Sequence, residues 1–247
     1  FVLLFALSVA AISQDLLPEP HVLSQTGKQS DFPAMCTDGD GKPWVAYMQW
    51  DGTKDTLHVA KLANGVLKDV LTVNGPGIIH QPAMARDGTG MLHVFWSQVN
   101  DKNLMDLKHT SFSYENTPPM IEGETLASAP NGGSAFAKAA VDPAGNVWVV
   151  WQGMHGTLGD IFCRVFNAKK NSWSDEIQVT KDAGGDWEPC LAFAGDDAWV
   201  IFDSSRGNEF NIYATKISAD LTVGETKPLI ATDRYEGRVS AIGAKDG

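Results

Sequence analysis

A pattern of about fifty residues recurs four times along this chain, and a period on that scale restricts the fold more than composition does. The first copy reads Phe32-Pro33-Ala34-Met35-Cys36-Thr37-Asp38-Gly39-Asp40-Gly41-Lys42-Pro43-Trp44-Val45-Ala46-Tyr47. The second runs from Gln81-Pro82-Ala83-Met84 through Asp87-Gly88-Thr89-Gly90 to His93-Val94-Phe95-Trp96. The third runs from Phe136-Ala137 through Asp142-Pro143-Ala144-Gly145 to Trp148-Val149-Val150-Trp151. The fourth, one residue shorter, is Glu188-Pro189-Cys190-Leu191-Ala192-Phe193, a turn, and Trp199-Val200-Ile201-Phe202. The equivalent positions Trp44, His93, Trp148 and Trp199 lie 49, 55 and 51 residues apart.

Each core is followed, 11 to 13 residues on, by an acidic or amide residue that opens another apolar strand: Asp55, Asp106, Asp160 and Asn211. A last strand closes most units, as in Val70-Leu71-Thr72, Ile177-Gln178-Val179-Thr180 and Leu229-Ile230-Ala231-Thr232. Asp-Gly turns between short β-branched and aromatic runs read as hairpins, and no segment sustains a 3.6-residue period. Four short antiparallel strands per unit, apolar on both faces and repeated, make an all-β β-propeller of four-stranded blades. A sandwich would not repeat its sequence at a fixed period. His21-Val22-Leu23-Ser24 aligns with the last strand of the other units and is expected to complete the final blade. Ala241 to Gly247 reads as the first strand of a fifth unit, because Thr232 precedes Ala241 by nine residues as Thr180 precedes Pro189. Four full blades and part of a fifth are therefore expected, in a chain that reads as a fragment.

Residues 1–13 read as a truncated signal peptide, leaving 14–247 as the propeller domain. Phe1 to Ala11 is an uncharged run too short to cross a bilayer core of about 30 Å, and Ala11-Ile12-Ser13 puts small residues where a signal peptidase cuts. Export to a periplasm or the outside is expected, with no stable membrane span. The formal charge of −11 argues against nucleic acid, whose phosphates call for basic patches. Three cysteines, Cys36, Cys163 and Cys190, allow at most one bridge and are expected to serve as small apolar residues.

The fourth unit carries the most recognisable run, Phe202-Asp203-Ser204-Ser205-Arg206-Gly207-Asn208-Glu209-Phe210-Asn211-Ile212-Tyr213. It resembles the F-x-S-x-R-x-G-x-x-x-I-Y signature of TolB-like (WD40-like) propeller repeats. That resemblance implies a ring most often of six blades. The sialidase superfamily is a weaker resemblance. Its Asp-box has one residue fewer between Asp and Gly than Asp38-x-x-Gly41-x-x-Trp44 and Asp142-x-x-Gly145-x-x-Trp148. Where sialidases carry an Arg for the substrate carboxylate, this chain has Asp31-Phe32-Pro33, and an Asp repels a carboxylate.

Loops before each first strand and loops joining the second strand to the third open on the same rim. That rim gathers Asp31, His80, Gln81, Asp186, Trp187, Glu188 and Arg238 from the first set, and Gln49, Gln98, Gln152, His155, Asp203 and Arg206 from the second. Gln49, Gln98 and Gln152 recur just after the second strand, so they are expected either to bind ligand or to hold neighbouring blades. Arg206 is expected to pair with Asp203 or Glu209. Trp187 reads either as a sugar-stacking ring or as a packed inter-blade aromatic. Asp186 or Glu188 with Asp203 is the candidate acid–base pair for glycoside hydrolysis. His80, His155 and the glutamines have donors for a divalent ion, as in propeller uronate lyases, but no local ligand motif; no cofactor is expected. The Asp38-Gly39-Asp40-Gly41 hairpin reads as turn chemistry rather than a Ca²⁺ loop. The chain is therefore expected to be an exported scaffold that binds a protein partner or a carbohydrate. The alternative is a carbohydrate-active enzyme, lyase or hydrolase, working at this rim.

Overall fold

The computed structural model describes residues 23, 27–73, 77–115, 123–128, 132–154, 158–181, 184–206 and 209–243. The expected signal peptide, the closing strand at His21–Ser24 and His155 lie outside those residues, apart from Leu23. Seventeen strands follow in chain order, and no helix occurs among the described residues. Blade 1 is β1 (Gln29–Thr37), β2 (Pro43–Trp50), β3 (Asp55–Ala63) and β4 (Val66–Val73). Blade 2 is β5 (Ile79–Arg86), β6 (Met91–Val99), β7 (Met105–Ser113) and β8 (Glu124–Ser128). Blade 3 is β9 (Ser134–Val141), β10 (Val147–Met154), β11 (Gly159–Asn167) and a divided outer strand, β12 (Ser172–Trp173) and β13 (Ile177–Gln178), both paired with β11. Blade 4 is β14 (Asp186–Ala194), β15 (Asp197–Ser204), β16 (Asn211–Ile217) and β17 (Val223–Ile230). Every sheet is an antiparallel meander in sequence order.

The first strands pack side by side, β1 on β5, β5 on β9 and β9 on β14, so the sheets radiate from a common axis as propeller blades do. The period of two along each strand then feeds two different cores. From β6, Leu92, Val94 and Trp96 face blade 1, while Phe95 faces blade 3. From β10, Val147, Val149 and Trp151 face blade 2, and Trp148 and Val150 face blade 4.

The Asp-Gly hairpins lock these strands from the far rim. Asp38 Oδ1 accepts the N–H groups of Asp40 and Lys42 at 3.0 Å, and Oδ2 accepts the Trp44 indole N–H at 3.1 Å. Asp142 repeats this with Asn146 N–H at 2.8 Å and the Trp148 indole at 3.0 Å. Asp87 takes the Thr89 and Met91 N–H groups and, in place of an indole, His93 Nε2 at 3.2 Å. The carboxylates of the expected turns thus cap backbone and anchor the ring that follows. Gly145, at φ 88°, lets its carbonyl reach the N–H of Gly88 at 2.8 Å, and a Cβ on either glycine would collide with the other's backbone. The fourth unit departs: its turn is a tight Ala194–Asp197 hairpin, and Trp199 is left partly exposed. All three cysteines are free thiols, Cys163 and Cys190 buried and Cys36 half-buried.

Asp38→Ala is expected to lower stability by about 2–4 kcal/mol in urea unfolding, because it strands buried donors, the Trp44 indole among them. Burial pushes the Asp38 carboxyl up, but hydrogen bonds from Lys61, the Lys42 N–H and Trp44 outweigh it and hold the group far below the usual range. That contribution is present above the unfolded Asp value of about 4 and fades as pH falls through the folded value, so the Asp38→Ala penalty should shrink in strong acid.

Candidate functional site

Register shows how each blade shapes the mouth. In β1, Asp31 pairs with Met48 and Ala34 with Ala46, so Phe32 and Pro33 stand opposite Tyr47 alone. The same two-against-one bulge sets Gln81-Pro82 against Trp96, Phe136-Ala137 against Trp151, and Glu188-Pro189 against Phe202. The first residue of every bulge is left-handed: Phe32 at φ 53°, Gln81 at 41°, Phe136 at 58° and Glu188 at 44°. Non-glycine residues at such φ values cost roughly 1–3 kcal/mol each and concentrate at functional sites. Arg238, at φ 60°, continues the series, which makes Val239 the equivalent of Pro33 and Pro189. The expected register, with Ala241 in that place, is thus wrong by two residues, because the bulge rather than the nine-residue count sets the phase.

The expected glutamine ladder is also corrected. Gln49 pairs with Ser30 and Gln98 with Ile79, whereas Gln152 pairs with Ala135, one position nearer the hairpin. Gln152 therefore shares its place with Met48, Ser97 and Asp203, and its side chain leaves the opposite face of the strand. Gln98 accepts the Trp96 indole N–H at 3.1 Å. Gln49 Oε1, Gln81 Oε1, Gln152 Oε1, Ser97 Oγ and His80 Nδ1 are buried without a hydrogen-bond partner. Unpartnered buried polar atoms cost about 1–3 kcal/mol each, and these five sit at the mouth end of first and second strands.

His80 lies between two of the bulge rings, its centroid 4.5 Å from Phe32 and 6.1 Å from Phe136. Burial lowers its pKa, opposed by the charge of Asp55. Asp55 pairs with Trp50, whereas Asp106, Asp160 and Asn211 pair one position further in, with Gln98, Gly153 and Ser204. Those three hold their own last strands: Asp106 binds Ser128, Asp160 binds Gln178, and Asn211 accepts the Thr232 N–H. Asp55, out of phase, turns instead into a groove of about 350 Å³ lined by Asp31, Phe32, Trp50, Ile78 and His80 among others. Burial raises the Asp55 pKa, with His80 pulling the other way. Asp31 receives the Gln29 amide N–H at 2.8 Å. Phe32 and Trp50 are 42% and 40% exposed, enough to offer ring faces to a ligand. Asp55, read from the sequence only as the opener of a strand, and Trp50 were not among the rim candidates. Only the one-residue offset between Asp55 and its counterparts marks them in the sequence.

The blade 4 candidates are held by other partners. Arg206 Nη2 reaches both oxygens of Asp186 at 2.8 Å, and its Nε donates to Ser204 Oγ at 2.8 Å. The expected pairing with Asp203 or Glu209 gives way to this one because Asp186 starts β14 directly opposite Ser204, beside the arginine. Both Asp203 oxygens accept the Arg238 N–H at 3.0 Å, and burial, then the charge of Glu188, raise the Asp203 pKa. Trp187 packs over Gly185 with its ring 5.0 Å from Phe210, which lies 5.5 Å from the exposed Tyr235. Among the described residues no group of three or more His, Cys, Asp or Glu is placed to hold a metal ion, and no helix is long and apolar enough to cross a membrane.

Asp186→Ala is expected to cost about 2–4 kcal/mol in thermal or urea unfolding, since it leaves the largely buried Arg206 guanidinium without its carboxylate. Glu209→Ala should leave stability within about 0.5 kcal/mol of the parent.

No protein-family model and no curated protein matches the sequence. Solved structures match by fold. An α-L-arabinofuranosidase of Fusarium graminearum, in complex with an iminosugar inhibitor, aligns with a TM-score of 0.59 at 12% identity, over 83% of this chain and 67% of the enzyme. The α-L-arabinanase of Penicillium chrysogenum, complexed with arabinobiose, aligns at 0.55 and 11% identity over 78% and 65%. A Hadza microbial sialidase aligns at 0.57 and 11% over 79% and 46%. The chain therefore has the β-propeller fold found in glycoside hydrolases and sialidases. The expectation of a binding or interaction scaffold is corrected here: the solved neighbours that share this fold are named as glycosidases, not as scaffolds.

Proposed function

We propose that this chain is a glycoside hydrolase that holds a neutral sugar in the groove between blades 1 and 2. The observation that carries the reading is the pair of carboxyl groups, Asp31 and Asp55, in one groove with the part-exposed rings of Phe32 and Trp50. Glycoside hydrolysis needs one carboxyl that keeps its proton for the leaving oxygen and a second that is ionised. Asp55, raised by burial, is the donor. As it delivers its proton to the glycosidic oxygen the C–O bond breaks. Water then adds to the anomeric carbon and gives its own proton to Asp31. The aromatic faces pack against the sugar ring, as aromatic linings of small-ligand grooves do. Trp187 offers its ring to a further residue of a longer chain. Two carboxyl groups in the groove and a net charge of −11 disfavour acidic sugars. The iminosugar and arabinobiose complexes of the fold neighbours support a glycoside as substrate. The TolB-like run Phe202–Tyr213 is read as blade architecture, since its Arg206 ties β15 to β14.

On a panel of neutral aryl glycosides, Asp55→Asn and Asp31→Asn should each lose roughly a thousandfold in kcat with the fold retained. The Asp55→Asn loss should shrink on a dinitrophenyl leaving group, which departs without protonation, whereas the Asp31→Asn loss should not. Wild-type turnover in both variants would sink the assignment. The raised Asp55 pKa also sets a sign for stability. Its ionised form is disfavoured in the folded state, a cost that appears as pH rises above the unfolded Asp value. Asp55→Asn should therefore raise Tm at pH 7 and leave it unchanged near pH 3.

The apolar run Phe1–Ala11 and the small residues after it support export as part of the same proposal. Protein recovered outside the cytoplasm with an N-terminus at Gln14 would bear this out, and retention of Phe1 in the mature protein would exclude it.

A further inference from the structure

A chain of four polar side chains crosses the interior of blade 2, on the side away from the mouth. Asp87, in the β5–β6 hairpin, lies 3.2 Å from His93 Nε2 on β6. His93 Nδ1 lies 3.0 Å from His109 Nε2 on β7, and His109 Nδ1 lies 2.8 Å from Glu124 Oε1 at the start of β8. The side chains of Asp87 and His93 are shut away from solvent and that of His109 is 4% exposed, while that of Glu124 is 63% exposed. Phe95, Phe166 and Trp173 wall the imidazoles, with ring centroids 4.7 Å from His93 (Phe166) and 5.0 Å from His109 (Phe95 and Trp173).

Counting protons along the chain gives an odd result. Burial pushes Asp87 up, but hydrogen bonds from Thr89, Met91 and His93 outweigh it and hold the carboxyl below the usual range. Asp87 is therefore an acceptor, and His93 must carry its proton on Nε2. A neutral His93 then presents a bare Nδ1, and the buried gap beside it, which has no access to water, is filled when His109 donates from Nε2. A neutral His109 in turn presents a bare Nδ1 to Glu124. Three gaps need three protons, and two neutral imidazoles supply two. All three gaps close when one further proton enters the chain, making either imidazole an imidazolium or Glu124 a carboxylic acid. Without that proton, two lone pairs face each other at 2.8 Å.

Other charges stand apart from that gap. The Arg164 guanidinium of blade 3 lies behind Trp173, 5.8 Å from its ring, and donates to the Leu126 carbonyl of β8 at 2.9 Å, while Lys108 turns to Asp106 and Thr125 on the other face of β7. Burial lowers His109 to about 4, with Glu124 raising and His93 lowering it further. At neutral pH the third proton is therefore absent, and the exposed Glu124 is free to turn to water. Among the described residues four pairs of the ladder, Asp106–Ser128 to His109–Glu124, join β8 to β7; Ser128, Thr125 and the Leu126 carbonyl are also held by Asp106, Lys108 and Arg164, so the His109–Glu124 contact is what fastens the Glu124 end of the strand.

We propose that a single proton shared by His109 and Glu124 latches the outer strand of blade 2, closing in acid and opening as pH rises toward neutrality. Hydrogen exchange of the Thr125–Ser128 amides between pH 4 and pH 7, corrected for intrinsic rates, tests this. Protection at pH 4 should exceed that at pH 7 by roughly tenfold, the size of one net hydrogen bond. Glu124→Gln supplies an amide N–H that can donate to the bare Nδ1, so its β8 should stay protected at both pH values. Glu124→Ala should stay unprotected at both. Equal protection of the parent at the two pH values, or a Glu124→Gln profile that copies the parent, overturns the proposal. Because Glu124 lies away from the mouth, the result does not depend on whether glycosides are turned over.

Discussion

The sheets of blades 2 and 3 are apolar on both faces, and a sheet of that kind is stable only when covered on both sides. The chain meets the constraint by alternation. Successive residues of β6 and β10 serve the core on one side and then the core on the other, so each blade completes its neighbours. Trp44, Trp96, Trp148 and Trp151 fill these interfaces almost without solvent contact. The hairpin carboxylates follow from the same need. A buried indole must give its N–H to something, and Asp38 and Asp142 take it while also capping the turn. In the second unit the ring is His93, which has a second nitrogen to satisfy, and the polar chain through His109 to Glu124 follows from that one substitution of ring type.

At the other end of the blades, the bulge turns a repeat into a site. Setting two residues of each first strand opposite one aromatic of the second forces a left-handed residue at the mouth in every unit. The strain is carried by the cores beneath, and it re-aims Phe32, Gln81, Phe136 and Glu188, aromatic, amide and acidic side chains, from equivalent backbone positions. A repeat that is uniform where it packs is thus varied where it faces ligand.

The acids of the chain divide by the partners they find. Asp38 and Asp87 collect hydrogen bonds that more than offset their burial, so they stay ionised and structural. Asp55 and Asp203 are pushed the other way, by burial above all. Asp203 nonetheless receives backbone N–H groups from the strand that follows, whereas Asp55 faces a groove with His80 beside it. A carboxyl whose pKa is raised by burial in an accessible groove has the character needed to protonate a leaving group.

How much was legible in the sequence follows from what a period can encode. The all-β class, the blade boundaries, the shared rim and the Asp-Gly hairpins are local, and residues such as Trp44 and Trp148 announce them at a fixed spacing. Phase within a strand is different, because one residue of slip sends a side chain to the opposite face and leaves no trace in composition. Gln152 looked equivalent to Gln49 and Gln98 and is not; Asp55 looked equivalent to Asp106 and is not. Arg206 stands three residues from both Asp203 and Glu209, yet it pairs with Asp186, twenty residues away, because β14 and β15 run side by side. The sequence by itself determined the repeat and the faces that must be buried, since burial follows from side-chain chemistry and spacing. Which acids are tied up by donors and which are left facing the groove came from the folded chain, since that depends on register and on neighbours from other strands.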